Sequence, residues 1–256
     1  MFNFILKMGT GKFDLSKRNK KVAISRWKKI LEKDMEKIKT KEQNPQCRLL
    51  KAKLLGFLAG DGCLSIRKMT EGRTSYEISF FPDHVNLAKV YINSFRGFYE
   101  REPKIINMNN YYKVIVWNKT ACLDLLNTTK CGTLNWEIPL NYLSTDLLKK
   151  EWLKAFFDCE AHVSKRQIQL QSVNEKGILQ VQDLLNYFNI ESKVYKYERK
   201  NKNWNINYIL CIMKKEYRKN FLNQIGFNHP EKLKKLKLHF MPTTHNQVVD
   251  LPRTLN

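Results

Sequence analysis

Apolar positions along the chain follow two periods, and these alternate in an order that occurs twice. From Arg48 to Gly60 an apolar, helix-forming run is stopped by the tight Asp61-Gly62 pair. Two strand-like segments, CLSIRK and SYEISFF, come next, with a turn at Glu71 and Gly72 between them. Asp83 then stands where a helix cap belongs, ahead of Leu87, Val90, Tyr91 and Phe95 at helical spacing. A further strand pair ends in YYKVIVW, and a short helix, TACLDLL, closes the unit. The predicted order is α-β-β-α-β-β-α.

The same order resumes near Ser144. LLKKEWLKAFFDC reads as a helix, VSKRQIQLQS as the strand region, and Asn174 as the cap of a helix with Ile178, Val181, Leu185 and Phe188 on one face. SKVYKYERK and NYILCIM form the next strand pair, and EYRKNFLNQIGF the closing helix. Aligning the units sets Asp61 opposite Glu160, Asp83 opposite Asn174 and Lys119 opposite Lys215. A repeat of about 100 residues means two similar halves and not a solenoid. The expected division is a basic extension (1–45), a first half (46–139), a second half (140–240) and a tail (241–256). In the extension, Ile24, Trp27, Leu31 and Ile38 make one amphipathic helix, either docked on the body or serving as a phosphate-gripping arm.

Charge changes the picture of what these halves bind. The 256 residues carry 46 lysines and arginines against 24 acids, a net charge of +22, while 43% are hydrophobic and 12% aromatic. A folded body with a basic exterior suits a nucleic acid better than a membrane surface. Cysteines 47, 63, 122, 131, 159 and 211 show no C-x-x-C spacing, so they are expected reduced, in the cytoplasm or an organelle matrix. No apolar run is long enough to span a bilayer, and the MFNFIL start lacks the features of a signal peptide. No phosphate-binding G-x-x-x-x-G-K-S/T loop or G-x-S-x-G elbow is present, and His245-Asn246 alone makes no histidine-metal nuclease.

The chemistry concentrates where the two leading helices end. Ala52, Gly56 and Gly60 fall four residues apart on one face, Ala155 and Cys159 occupy matching places, and each helix finishes in an acid, Asp61 or Glu160. If the small faces pack together, both carboxylates arrive at one end of the pair. Two such acids repel unless a hard cation lies between them, and Mg²⁺ with paired acids is a common means of phosphodiester hydrolysis. Alone, either acid is equally a surface helix end.

LLGFLAGDG and LKAFFDCEA resemble the two motifs of a LAGLIDADG homing endonuclease in its single-chain form. The resemblance covers about residues 46 to 240. In the second motif Glu160 stands for the usual Asp and Ala161 for the closing glycine. It implies an α+β fold of two pseudo-symmetric αββαββα halves, with motif helices at their interface and two saddle-shaped antiparallel sheets lying on DNA. It further implies divalent metals, Mg²⁺ or Mn²⁺, on Asp61 and Glu160, helped by the backbone carbonyls of Gly60 and Cys159. Relatives place a lysine or glutamine from each half near the metal-bound water; the internal alignment nominates Lys119 and Lys215. The glutamine or lysine that many relatives carry after the second strand is not evident at Phe81-Pro82.

In RQIQLQS, Ile168 and Leu170 fall on one face and Gln167, Gln169 and Gln171 on the other. Flanked by Lys165 and Arg166, these amides suit base edges, while the cations suit phosphates. Arg67, Lys68 and Lys113 are the first-half equivalents. Lys193, Tyr195, Tyr197 and Arg199 alternate further on, the tyrosines as core or sheet-edge packing or as base-stacking platforms. HPEKLKKLKLHF reads as a basic helix able to wrap the other half. The expected function is a monomeric, site-specific DNA endonuclease of the intron-homing kind. The alternative is a non-catalytic binder of the same fold, an intron-RNA maturase or a DNA-binding regulator. The Met start and the absence of splicing termini point away from an intein.

Overall fold

The computed structural model describes residues 17–70, 73–198 and 205–241. The 1–16 arm, the Glu71-Gly72 turn, Arg199 and the tail with His245-Asn246 lie outside them. Helix α1 (Lys17–Glu42) precedes α2 (Pro45–Ala59), β1 (Gly62–Lys68), β2 (Thr74–Phe80), α3 (Val85–Tyr99), β3 (Lys104–Met108), β4 (Tyr111–Trp117) and α4 (Lys119–Thr128). The order then repeats as α5 (Asp146–Glu160), β5 (His162–Val163), β6 (Ile168–Ser172), α6 (Glu175–Tyr187), β7 (Lys193–Tyr197), β8 (Asn207–Ile212) and α7 (Lys215–Gln224), and α8 (Pro230–Leu238) follows.

Each half contains a four-stranded antiparallel sheet, and the strand orders correspond: β1-β2-β4-β3 and β5-β6-β8-β7. The motif helices α2 and α5 lie against each other between the sheets. Their apolar sides join the helix and strand residues of both halves in one core, which includes Leu54, Phe57, Phe80, Phe95, Trp152, Phe157, Leu170 and Phe221. Ile168 and Leu170 are fully buried, as the alternation requires. The first half is further fixed by a buried ammonium. Lys51 bonds Glu42 at 2.6 Å and Asp124 at 2.8 Å, and the Tyr99 hydroxyl donates to the same aspartate at 2.6 Å.

Three details correct or narrow the sequence expectation. The cap of α3 is His84, whose ring nitrogen Nδ1 accepts from the Asn86 N–H, and Asp83 is left for another partner. Helix α1 touches the body chiefly through its last turns, where Ile38 is buried and the Lys41 ammonium meets the Phe98 carbonyl and Glu100, whereas Trp27 is 54% exposed. Tyr195 and Tyr197 stand exposed on β7, an edge strand, which leaves the sheet-edge place and excludes the core.

Candidate active site and nucleic-acid surface

The meeting of α2 and α5 follows from the small residues on their facing sides. A Cβ added at Gly56 would strike the Trp152 carbonyl oxygen and lie 2.9 Å from the Ala155 Cβ. At Gly60 it would lie 2.5 Å from the Cys159 Cβ, so neither position admits a side chain without parting the helices. Lys53 and Glu151 pair across the same seam at 3.3 Å. Asp61 follows the Gly60 cap directly, with its carbonyl accepting from the Phe81 N–H at the end of β2; Glu160 is the last residue of α5.

The Asp61 carboxylate is close enough to disturb that of Glu160. Burial lifts Glu160 from its ordinary 4.5 to about 7, with Asp61 adding to the rise and Lys232 opposing it. Asp61 is also raised, first by burial and then by Asp83, against the opposing pull of Lys232 and of a hydrogen bond from Cys159. Near neutral pH the cation-free pair therefore carries less than its full two charges. The Cys159 thiol is pushed well above its ordinary value by burial and the nearby acids, so it stays protonated. An open cleft of ≈ 550 Å³ runs beside Glu160, lined in part by Gly60, Cys63, Trp136, Gln171 and Asn207.

Lys119 and Lys215 are not brought to this site. The register aligns Gly62 with Phe80 and Phe80 with Val114, and His162 with Gln169 and Gln169 with Cys211. Each lysine lies four or five residues farther along its chain, on the side away from the acids, which is about 15 Å at strand spacing. Both are exposed first residues of helices, and the Lys119 ammonium lies 5.5 Å from the centre of the Tyr76 ring.

The cation that does act on both acids is Lys232, on α8. Its ammonium donates to the Asp158 carbonyl at 2.5 Å and to the Cys159 carbonyl at 3.0 Å, the latter one of the two carbonyls nominated for metal. Asp158, fully buried, returns the favour to α8. Its carboxylate accepts from the Asn228 N–H, the Asn228 side-chain amide and the His229 N–H, all at 2.8 Å. Burial lifts this carboxyl to about 6, with those donors and Lys232 holding it down. His229 caps α8 through Nδ1 and directs Nε2 at Asp83, 3.4 Å away in the first half. The hydrogen bond from His229 holds Asp83 below its ordinary value. Sequence patterning missed Lys232, Asp158 and the Asp83–His229 pair. The available signal was an acid inside the apolar AFFDC run and a His-Pro helix start downstream.

The nominated DNA contacts lie on or beside the sheets. Arg67 and Lys68 end β1, both exposed, and Lys113 in β4 lies 3.7 Å from Glu77. Lys165 and Arg166 are exposed in the β5–β6 turn, with the Lys165 carbonyl held by Arg218 at 2.9 Å. Gln167 donates to Gln169 at 2.7 Å, and Gln171 accepts from Asn207 at 3.1 Å, so the three amides are ordered on the face opposite Ile168 and Leu170. Lys193 is exposed on β7.

Residues 148–226 match the model of the LAGLIDADG-like domain. The second half of the chain is therefore LAGLIDADG-like in sequence. The structure of the homing endonuclease I-DmoI in complex with DNA and Mn superposes with a TM-score of 0.58 at 17% identity, covering 70% of this chain and 97% of that one. The complex of I-DmoI with DNA and Ca gives 0.59 at 18%, over 75% and 99%. The N-terminal LAGLIDADG domain of DUF199/WhiA gives 0.50 at 16%, over 75% and 89%. At these identities the likeness is one of LAGLIDADG fold. Among curated proteins, glutamine--fructose-6-phosphate aminotransferase [isomerizing] of Methanocaldococcus jannaschii is 25% identical over 207 residues, 78% of this chain and 18% of that protein. The replication factor C small subunit of Thermococcus kodakarensis is 36% identical over 90 residues, 35% of this chain and 10% of that one. The chain thus spans less than a fifth of the length of either relative. Among the described residues no helix is long and apolar enough to cross a membrane, and no group of three or more His, Cys, Asp or Glu is gathered in metal-binding geometry.

Proposed function

We propose that the chain is a site-specific DNA endonuclease that hydrolyses a phosphodiester on each strand of a long duplex target, with Asp61 and Glu160 holding the divalent cation. The observation that carries this reading is the part-buried carboxylate pair, delivered by equivalent helices to the end where both sheets begin. Two part-buried carboxylates whose proton affinities are both raised are oxygen donors short of a cation, which fits Mg²⁺ or Mn²⁺ and not a soft metal. When bound, such an ion polarises a phosphoryl oxygen and makes water a better nucleophile. The chain's own part is to shield both acids in part from water, to fix their separation through the Gly56 and Gly60 contacts, and to set the duplex in register. For the last task Lys68, Lys113, Lys165, Arg166 and Lys193 grip phosphates, while Gln167, Gln169 and Gln171 meet base edges. Arg67 and Arg199 are assigned to the same duplex surface.

I-DmoI was crystallised with DNA and Mn, a precedent for this partner and cofactor on the same fold. The competing reading, a binder that does not cut, is favoured by one observation: Lys232 already engages the Cys159 carbonyl. Selection from a randomised duplex library in Mg²⁺ and in Ca²⁺ separates the two. The endonuclease yields broken duplexes in Mg²⁺ and intact bound ones in Ca²⁺; recovery of intact bound duplexes in both ions assigns the chain to the non-cutting class.

A further inference from the structure

We propose that Lys232 is a resident cation of the acidic site, its ammonium standing in for a second divalent ion, so that the site takes a single divalent ion at Asp61 and Glu160. This rests on the metal-binding reading above and departs from an ion for each half. Three observations converge on it. The ammonium is fixed on the Asp158 and Cys159 carbonyls at the C-terminal end of α5, where a positive charge opposes the helix dipole and satisfies orphan carbonyls. The Cys159 carbonyl it holds belongs to the residue directly before Glu160, so the ammonium stands at the acidic end of the seam.

The third observation is that the lysine is held by a clamp and not by a loose side chain. The buried Asp158 carboxylate binds the start of α8 through Asn228 and His229, and His229 reaches across to Asp83 of the first half. The α5 end thus caps α8 while α8 caps the α5 end. An ammonium carried in this way stays at the site without cost in chain entropy each time substrate binds. It also takes the carbonyl a second ion would need and repels that ion from short range. Half one has no counterpart: the place aligned with Asp158 is Ala59.

The test counts ions on the full-length protein without DNA, by Mn²⁺ calorimetry and by electron paramagnetic resonance. The wild-type chain is expected to take one Mn²⁺, and Asp61→Asn to lose it. Lys232→Gln keeps a donor for the Cys159 carbonyl but removes the charge, and Lys232→Met keeps only the apolar stem. Both should take a second Mn²⁺ or bind the first about tenfold more tightly, while Lys232→Arg retains the wild-type count. Two ions on the wild-type chain, or the same number and affinity in wild type, Lys232→Gln and Lys232→Met, would overturn the inference and leave the metal site standing. No saturable Mn²⁺ in the wild-type chain would overturn both.

Discussion

In the first half the motif helix ends in Ala59, Gly60 and Asp61; in the second the corresponding places hold Asp158, Cys159 and Glu160. The first acid is tied by its backbone to the end of β2 and leads into a seven-residue strand. The second ends its helix, leads into a strand of two residues, and is backed by α8. One sheet order therefore supports two ways of fixing an acid. Where strand pairing is short, an added helix anchored on a buried carboxylate does the holding. The matching topology sets where the acids meet, and the unmatched residues set their electrostatics.

The largest expected effect comes from making the second half like the first. Asp158→Ala leaves three donors from Asn228 and His229 without partners and frees α8, which should destabilise the protein by about 3 kcal/mol or more in urea unfolding. A shift below 1 kcal/mol would mean that α8 is held by its apolar contacts alone. The seam between halves is next. Gly56→Leu should cost on the order of 1 to 3 kcal/mol or more by overpacking, whereas Ala155→Gly should cost no more than about 1 kcal/mol through helix propensity. An equal loss at both positions would contradict the one-sided closeness of the contact.

The acids themselves should differ with pH. In the folded, metal-free chain Glu160 titrates near 7 against an ordinary 4.5. Between these values the folded state holds the proton more tightly than the unfolded one, so stability falls as pH rises through the window and is level above it. In EDTA at pH 8, Glu160→Gln should thus be more stable than wild type by about 2 kcal/mol after allowance for partial solvent access, and the advantage should vanish near pH 4.5. Asp61→Asn should move in the same direction. Melting curves in which Glu160→Gln gains nothing at pH 8 would remove the strained pair.

The smallest effects concern the sheet surfaces. Lys68→Ala in the first half and Lys165→Ala in the second should each weaken all duplexes alike and flatten the salt dependence of affinity by roughly one unit. Gln169→Ala should leave that slope unchanged and lose about 1 to 3 kcal/mol of discrimination at one or two base pairs. Equal loss on cognate and scrambled duplexes would show that the glutamine strand does not read sequence.

Much of this architecture was legible in the chain. The doubled α-β-β-α-β-β-α order, the Asn174 cap and the burial of Ile168 and Leu170 follow from local periodicity, which acts over a few residues. The small face of α2 was legible for the same reason. Capping by His84 in place of Asp83 was not, because either residue can cap and the choice depends on His229, nearly 150 residues away. Lys119 and Lys215 were nominated by alignment and are indeed topological equivalents, but pseudo-symmetry does not bring equivalent residues to the symmetry axis. Lys232 belongs to α8, which has no partner in the repeat, so no internal comparison pointed to it. The exposed Trp27 marks another limit: periodicity predicts an apolar face and is silent on what covers it.

Cleavage of a library-selected duplex in Mg²⁺, followed strand by strand for wild type, Asp61→Asn and Glu160→Gln beside their affinities in Ca²⁺, bears most directly on the proposed endonuclease. Wild type should cut both strands, while either substitution should abolish double-strand cleavage and change affinity by less than about tenfold, since these carboxylates hold metal and not bases. Normal double-strand cleavage by either variant, or none by the wild-type chain on a duplex it binds tightly, would contradict the assignment.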